Sequence, residues 1–269
     1  MSPPAAVPCF QVDAFSHRPF KGNPAAVCLL EADVDDAWMQ SVAAEMNLAE
    51  TAFVRRAGDL YSLRWFTPEV EVDLCGHATL ASAHVLWTET AAPVDQPLRF
   101  QTRSGILVCR RDGDRIGMDF PALPADACEP RPELLTALGL STAEWTGRTA
   151  FDDVVVVEGP AELRAARPDF RQLAGITNRG VMVTSVSDDP RADFLSRFFA
   201  PRVGIDEDPV TGSAHCCLGP LWASRLGRSE LTGFQASRRG GYVGVRVLGE
   251  RVELFGTAVT VLKGELINR

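Results

Sequence analysis

Two short stretches of the chain hold the side chains best suited to chemistry. The first, NLAETAFV, contains Glu50, which follows a predicted helix end near Asn47 and precedes a strand, a position that commonly faces a cleft. Its neighbours Leu48, Ala49, Ala52 and Phe53 would strip the carboxyl of water. Desolvation disfavours the charged form, raises the carboxyl pKa and makes a better base near neutral pH. On local sequence alone the same residue also fits a surface glutamate that ends a helix. The second stretch, IDEDPVTGSAH, sets Asp206, Glu207 and Asp208 just before a helix start. Negative charge is favoured there, and Asp208 or Thr211 can cap. Three acids exceed what one cap needs, so at least one is expected to face a substrate amino or hydroxyl group. His77, directly after Gly76, can donate to a carboxylate or shuttle protons, and equally fits a cap or core position. His84 lies seven residues further along the same helix and reads as structural, while His17 and His215 carry no separate argument.

These residues need elements that present them. At Gly76-His77 and again at Gly212-Ser213 the chain leaves a strand, passes a small-residue turn and enters an apolar helix. A helix N-terminus offers unpaired N–H groups and the positive end of the macrodipole, so two such turns would hold a small anion such as a carboxylate. Glycine lets a ligand approach the backbone closely. Either turn taken alone also fits ordinary helix capping. Between the strands CFQVDAF and PAAVCLL and the strands TAFVRR and YSLRWFTP lies DDAWMQSVAAEMNL. Its Trp38, Val42 and Met46 at helical spacing, with acids at the start, predict a helix. Ala78, Ala81 and Val85 predict a second helix over 76–87, apolar on most sides. Antiparallel strands turning at Asp112-Gly113 and Leu248-Gly249 follow the apolar helix of each half.

The chain also repeats itself. RWFTPEVEVD (64–73) and RFFAPRVGID (197–206) match at Arg, Phe, Pro, Val and Asp with an offset of 133 residues. CGHATLASAHVLW and TGSAHCCLGPLWASRL follow at an offset of 136, and Phe100-Gln101 and Phe234-Gln235 at 134. Three blocks in one order at nearly one offset point to an internal duplication. PALPADACEPRPEL (121–134) lies between the copies, and its four prolines can sustain neither a helix nor a central strand. The expected architecture is therefore α+β: two similar pseudo-symmetric domains, 1–125 and 126–269. Each would be a strongly bent, mostly antiparallel sheet wrapped around a central apolar helix. Alike halves meeting face to face would form a cleft, where ligands usually bind.

Composition narrows the function class. Of 269 residues, 46% are hydrophobic and 23% charged, as in a globular protein with substantial cores. No uncharged stretch reaches the roughly 18 residues that span a bilayer, and 1–12 lacks the basic start of a signal peptide, so a cytoplasmic location is expected. The net charge is −8 with scattered basic residues, a pattern without a nucleic-acid footprint. Seven cysteines, of which only Cys216 and Cys217 are adjacent, suit reduced thiols better than a disulfide frame or a zinc site.

FKGNPAAVCLL, NLAETAFV, LRWFTPEVEVDLCGHATLASAHVL and DEDPVTGSAHC, in this order and spacing, resemble the defining blocks of the PhzF-like phenazine biosynthesis family. The resemblance covers most of the chain; GHAT alone would be weak. It implies the diaminopimelate epimerase fold and an isomerase that moves a proton within a small carboxylic acid without metal or coenzyme. The family's namesake isomerises a dihydro-hydroxyanthranilic acid. Glu50 resembles the family's catalytic acid/base. His77 and Asp208 resemble residues that position the substrate, and Gly212 and Ser213 resemble the turn that receives its carboxylate, which is expected to rest between that turn and the one at Gly76-His77. A homodimer is likewise implied.

One departure matters. Epimerases of this fold use two cysteines, one per half, whereas here Cys75 is matched by Thr211. Threonine has no accessible thiolate, which argues against two-thiol racemisation. The expected mechanism is a single carboxyl, Glu50, acting as base and then acid on one face of the substrate, with closure of the halves excluding water. The alternatives are an amino- or hydroxy-acid epimerase using Cys75, and a non-catalytic binder of small acids.

Overall fold

In the computed structural model, residues 6–267 are described, and their contacts divide the chain into two units. Unit 1 contains 1–119 and 255–269; unit 2 is the unbroken run 120–254. The expected division at 125/126 is corrected at both ends. The first copy closes a few residues earlier, and the final strand returns to it.

Unit 1 comprises β1 (Ala6–Ala14), β2 (Asn23–Leu30), α1 (Asp36–Met46), β3 (Glu50–Ala57), β4 (Leu60–Phe66), β5 (Glu71–Val72), α2 (Gly76–Glu89), β6 (Leu98–Thr102), β7 (Gly105–Asp112) and β8 (Arg115–Pro121). Unit 2 begins with β9 (Asp126–Ala127), α3 (Pro132–Leu138), β10 (Trp145–Arg148), β11 (Asp152–Val156), α4 (Pro160–Ala165), α5 (Phe170–Ile176) and β12 (Gly180–Val186). It continues through β13 (Phe194–Phe199), α6 (Gly212–Leu226), β14 (Glu230–Gln235), β15 (Gly241–Leu248) and β16 (Arg251–Gly256). Strand β17 (Ala258–Ile267) then pairs antiparallel with β1, from Ala14 opposite Ala258 to Ala6 opposite Ile267. This pairing ties the end of the chain to unit 1.

The duplication is written into the pairing. In unit 1, β1 to β2 is antiparallel, β2 to β3 parallel, β3 to β4 antiparallel, β4 to β6 parallel and β6 to β7 antiparallel. Strands β10 to β15 of unit 2 repeat that alternation step for step. Each sheet wraps an apolar helix: α2 packs on β1, β2, β3 and β17, and α6 on β14 and β15. In α2 every residue from His77 to Trp87 except His84 is buried, so the helix is central rather than amphipathic.

Outer helices cover the other face. In α1 the buried residues are Met39 and Ala43, flanked by the partly buried Trp38, Val42 and Met46 that signal the helix in the sequence. Asp35 caps its start by accepting from the Trp38 N–H at 2.7 Å, and Asn47 ends it in the left-handed region. Unit 2 has three short outer helices, α3 to α5, packed on Val155, Val181, Val183, Leu195 and Phe199. The intervening Val154, Val156, Met182, Phe194 and Phe198 face α6. Strands buried on both sides read as continuous apolar runs, which is why DDVVVV carries no alternation.

The proline-rich connector is used locally. Pro132 begins α3, where its missing N–H costs nothing. Pro220 lies inside α6 and cannot donate to the Cys216 carbonyl; the Leu123 N–H fills that acceptor at 3.0 Å.

Candidate active site

The parallel pairs place comparable positions beside the two central helices. In unit 1, Ala25 of β2 stands opposite Glu50, the first residue of β3. In unit 2, Asp152 of β11 stands opposite Gly180, the first residue of β12. Phe53 opposes Arg64 and Val183 opposes Arg197, so Glu50 and Gly180 are equivalent and Arg179 falls one residue before.

Glu50 is largely withdrawn from solvent, its side chain 12% exposed, and its Oε2 lies 3.1 Å from Nε2 of His77, the second residue of α2. The ring is buried. Desolvation pushes the His77 pKa down to about 3, so the imidazole is neutral near pH 7. Its Nδ1 lies 3.2 Å from Asn23 Nδ2 and 3.5 Å from Cys75 Sγ. Amide and thiol donating to Nδ1 would place the ring proton on Nε2, facing Glu50. The Pro24 carbonyl, also within reach of the ring, is an acceptor that favours a ring N–H. A neutral imidazole with two available tautomers can therefore sit beside either state of the carboxyl. Unit 1 thus brings together Glu50, His77 and the Gly76 turn. It adds Cys75, at the α2 N-cap position without a capping bond, and the fully buried Asn23. Glu50, Cys75 and His77 each offer one ligand atom, all within 4.8 Å of one another. Thiol, imidazole and carboxylate are donors zinc accepts.

In unit 2 the three acids separate. Asp206 is exposed, and Glu207 takes a two-point ion pair from Arg197 at 2.7 and 3.0 Å. That pair repeats the Arg64–Glu71 pair of unit 1 at 2.7 and 2.6 Å, so Glu207 belongs to the duplicated frame. Only Asp208 is buried at the turn. Its carboxylate accepts from the Thr211 hydroxyl, and Thr211, at the N-cap position of α6, makes no side-chain cap. Gln235, fully buried, locks the segment: its Nε2 donates to the Asp208 carbonyl at 2.7 Å and its Oε1 accepts from the Thr211 N–H at 2.8 Å. The echo at Gln101 is exposed and does nothing comparable.

Gly212 and Ser213 open α6, and Ser213 Oγ is 3.3 Å from Nη2 of Arg179. Arg179 Nε donates to Asp152 Oδ1 at 2.8 Å and Nη2 to Oδ2, while its guanidinium lies over the rings of Phe151 and Phe198. Burial works against the charge, but the Asp152 bonds and field outweigh it and hold the group above its ordinary pKa. Asn23, Asp152 and Arg179 are absent from the sequence-based expectation. The first stands in FKGNP, the other two in segments with no spacing signature. His215 is buried with Nδ1 2.8 Å from the Thr211 carbonyl, and desolvation lowers its pKa to about 4. His84 meets Thr260 at 3.0 Å, part-buried on α2.

Comparison with known proteins bears on this arrangement. A protein of Halalkalibacterium halodurans named an uncharacterized isomerase is 50% identical over 97% of this chain and 98% of its own. The crystal structure of a PhzF-family phenazine biosynthesis protein from Enterococcus faecalis superposes with a TM-score of 0.92 at 41% identity, covering 97% of this chain and 99% of that one. A predicted epimerase from Pseudomonas aeruginosa shares the fold, with a TM-score of 0.74 at 22% identity over 98% of this chain and 100% of the other. Residues 12–264 match the family described as phenazine biosynthesis-like protein. The chain therefore belongs to the PhzC–PhzF family of phenazine biosynthesis-like proteins.

Proposed function

We propose that this protein is an isomerase that relocates a proton within a small carboxylic acid, with Glu50 as the transferring group. The observation that carries the reading is the buried pair of Glu50 and a neutral His77 at 3.1 Å. An ionised Glu50 takes a proton from a carbon made acidic by conjugation. The C–H electron pair spreads into the conjugated system, and the protonated carboxyl returns the proton to a second carbon, which restores the carboxylate. No other reactant enters the balance. His77 steadies both states of the carboxyl by exchanging donor and acceptor roles. Gly76 and His77 in unit 1, and Asp208, Gly212 and Ser213 in unit 2, are the proposed substrate-binding residues, the glycine turns offering helix N–H groups to a carboxylate. Relatives named isomerases support the reaction class.

Incubation with small conjugated acids in heavy water tests the reading. The wild type should place deuterium at a carbon position and Glu50→Gln should not. Exchange persisting in Glu50→Gln at the wild-type rate excludes Glu50. A second reading, epimerisation through Cys75, is favoured by the thiol's place 3.5 Å from His77 Nδ1. Loss of exchange in Cys75→Ser with full exchange in Glu50→Gln would select it.

A further inference from the structure

We propose that Arg179 is the residue that selects a carboxylate, binding it through the free edge of its guanidinium, with Asp152 as its positioning residue. The inference rests on the substrate role proposed for Ser213 and extends it to a charged group. All hydrogen bonds that Arg179 makes to described residues run through Nε and Nη2, which leaves both N–H groups of Nη1 for a ligand. The ion pair is one-sided: the Asp152 side chain is 2% exposed and that of Arg179 35%. The carboxylate is thus set inward and the cation outward, and a planar guanidinium fixed by a two-point bond presents its remaining donors at a defined angle. Phe151 and Phe198 flank it, at 5.5 and 5.8 Å from the ring centroids, and restrict its swing. Ser213, the second residue of α6, sets its Oγ 3.3 Å from Nη2, so the guanidinium stands beside the opening turn of that helix.

The duplication adds an independent argument. At the start of the second parallel strand, unit 1 sets Glu50 against the second residue of α2, and unit 2 sets Arg179 against the second residue of α6. The same construction that holds a carboxyl beside an imidazole in one copy holds a guanidinium beside a hydroxyl in the other.

The test is calorimetric titration with two matched pairs, benzoate against benzamide and 2-aminobenzoate against 2-aminobenzamide. The acid and amide of each pair share shape and differ in charge. The wild type should favour the acid at least about tenfold in one pair or both. Arg179→Gln should abolish that preference, Arg179→Lys should keep part of it, and Glu50→Gln should keep it whole. Loss of the cation leaves Asp152 buried alone, so the Arg179→Gln, Asp152→Asn double variant is titrated beside it, with thermal unfolding confirming the fold. It too should bind acid and amide alike. Acid preference retained in either variant, or absent from the wild type in both pairs, overturns the assignment. Acid binding that depends on Arg179 without any deuterium exchange would sink the isomerase reading and leave this one standing.

Discussion

The openings of β3 and β12 are the same place in two copies of one frame, and they hold opposite kinds of chemistry. Around Glu50 the chain gathers a carboxyl, a neutral imidazole, a thiol and an amide. Around Gly180 it gathers a guanidinium, its counter-carboxylate and a hydroxyl. The frame itself has changed little: the pairing order is repeated, and Arg64–Glu71 recurs as Arg197–Glu207. Duplication kept the positions while the side chains diverged, one copy toward a carboxyl beside a neutral imidazole and the other toward a guanidinium beside a buried carboxylate.

The sharpest way to break this contrast is Glu50→Gln. Turnover should fall about 10²–10⁴-fold, the usual worth of a positioned acid/base, with KM and melting temperature near wild type. A KM effect instead would make Glu50 a binding residue like those proposed in unit 2. Acid comes next. His77 and His215 are buried neutral with pKa values lowered to about 3 and about 4 from 6.5. The unfolded chain binds protons below about pH 6.5 and the folded chain does not, so stability is complete above that pH and lost below it. Each histidine should remove about 2 kcal/mol between pH 6.5 and 5. His215→Asn should flatten the pH dependence of urea unfolding by about one proton, and an unchanged slope would refute the burial argument.

Ser213→Ala should act more mildly, raising KM about tenfold, near 1.4 kcal/mol, while kcat stays within about twofold. A fall in kcat alone would move the α6 turn into the proton-transfer half of the contrast. Smallest of all is the effect expected of a chelator, which should leave turnover unchanged. If turnover is lost and zinc restores it, the Glu50, Cys75 and His77 cluster is a metal centre and the contrast must be redrawn.

The duplicated frame was legible because its marks are local: Arg–x–Phe–x–Pro blocks, glycine turns and apolar helices at a nearly constant offset. Glu50 and His77 stood out through their resemblance to family blocks, since 27 residues separate them and no spacing rule links them. Arg179 and Asp152 are equally far apart, and their segments TNRGVM and FDDVVV read as a turn and a core strand. The role of Glu207 was hidden for a similar reason: its partner Arg197 sits on the neighbouring strand β13, and only folding distinguishes a frame pair from a site acid. The expected end of the second copy at 269 failed because an apolar strand does not announce its partner. That of β17 lies some 250 residues back, in β1.

That last pairing reverses the order in which a ribosome can finish the molecule. The unit 120–254 is a single unbroken run of chain, whereas the part synthesised first waits for 255–269. Until then one side of β1 is an open strand edge, able to pair with other nascent chains. A chain that ends before β17 would therefore leave the earlier-made half with that edge unpaired.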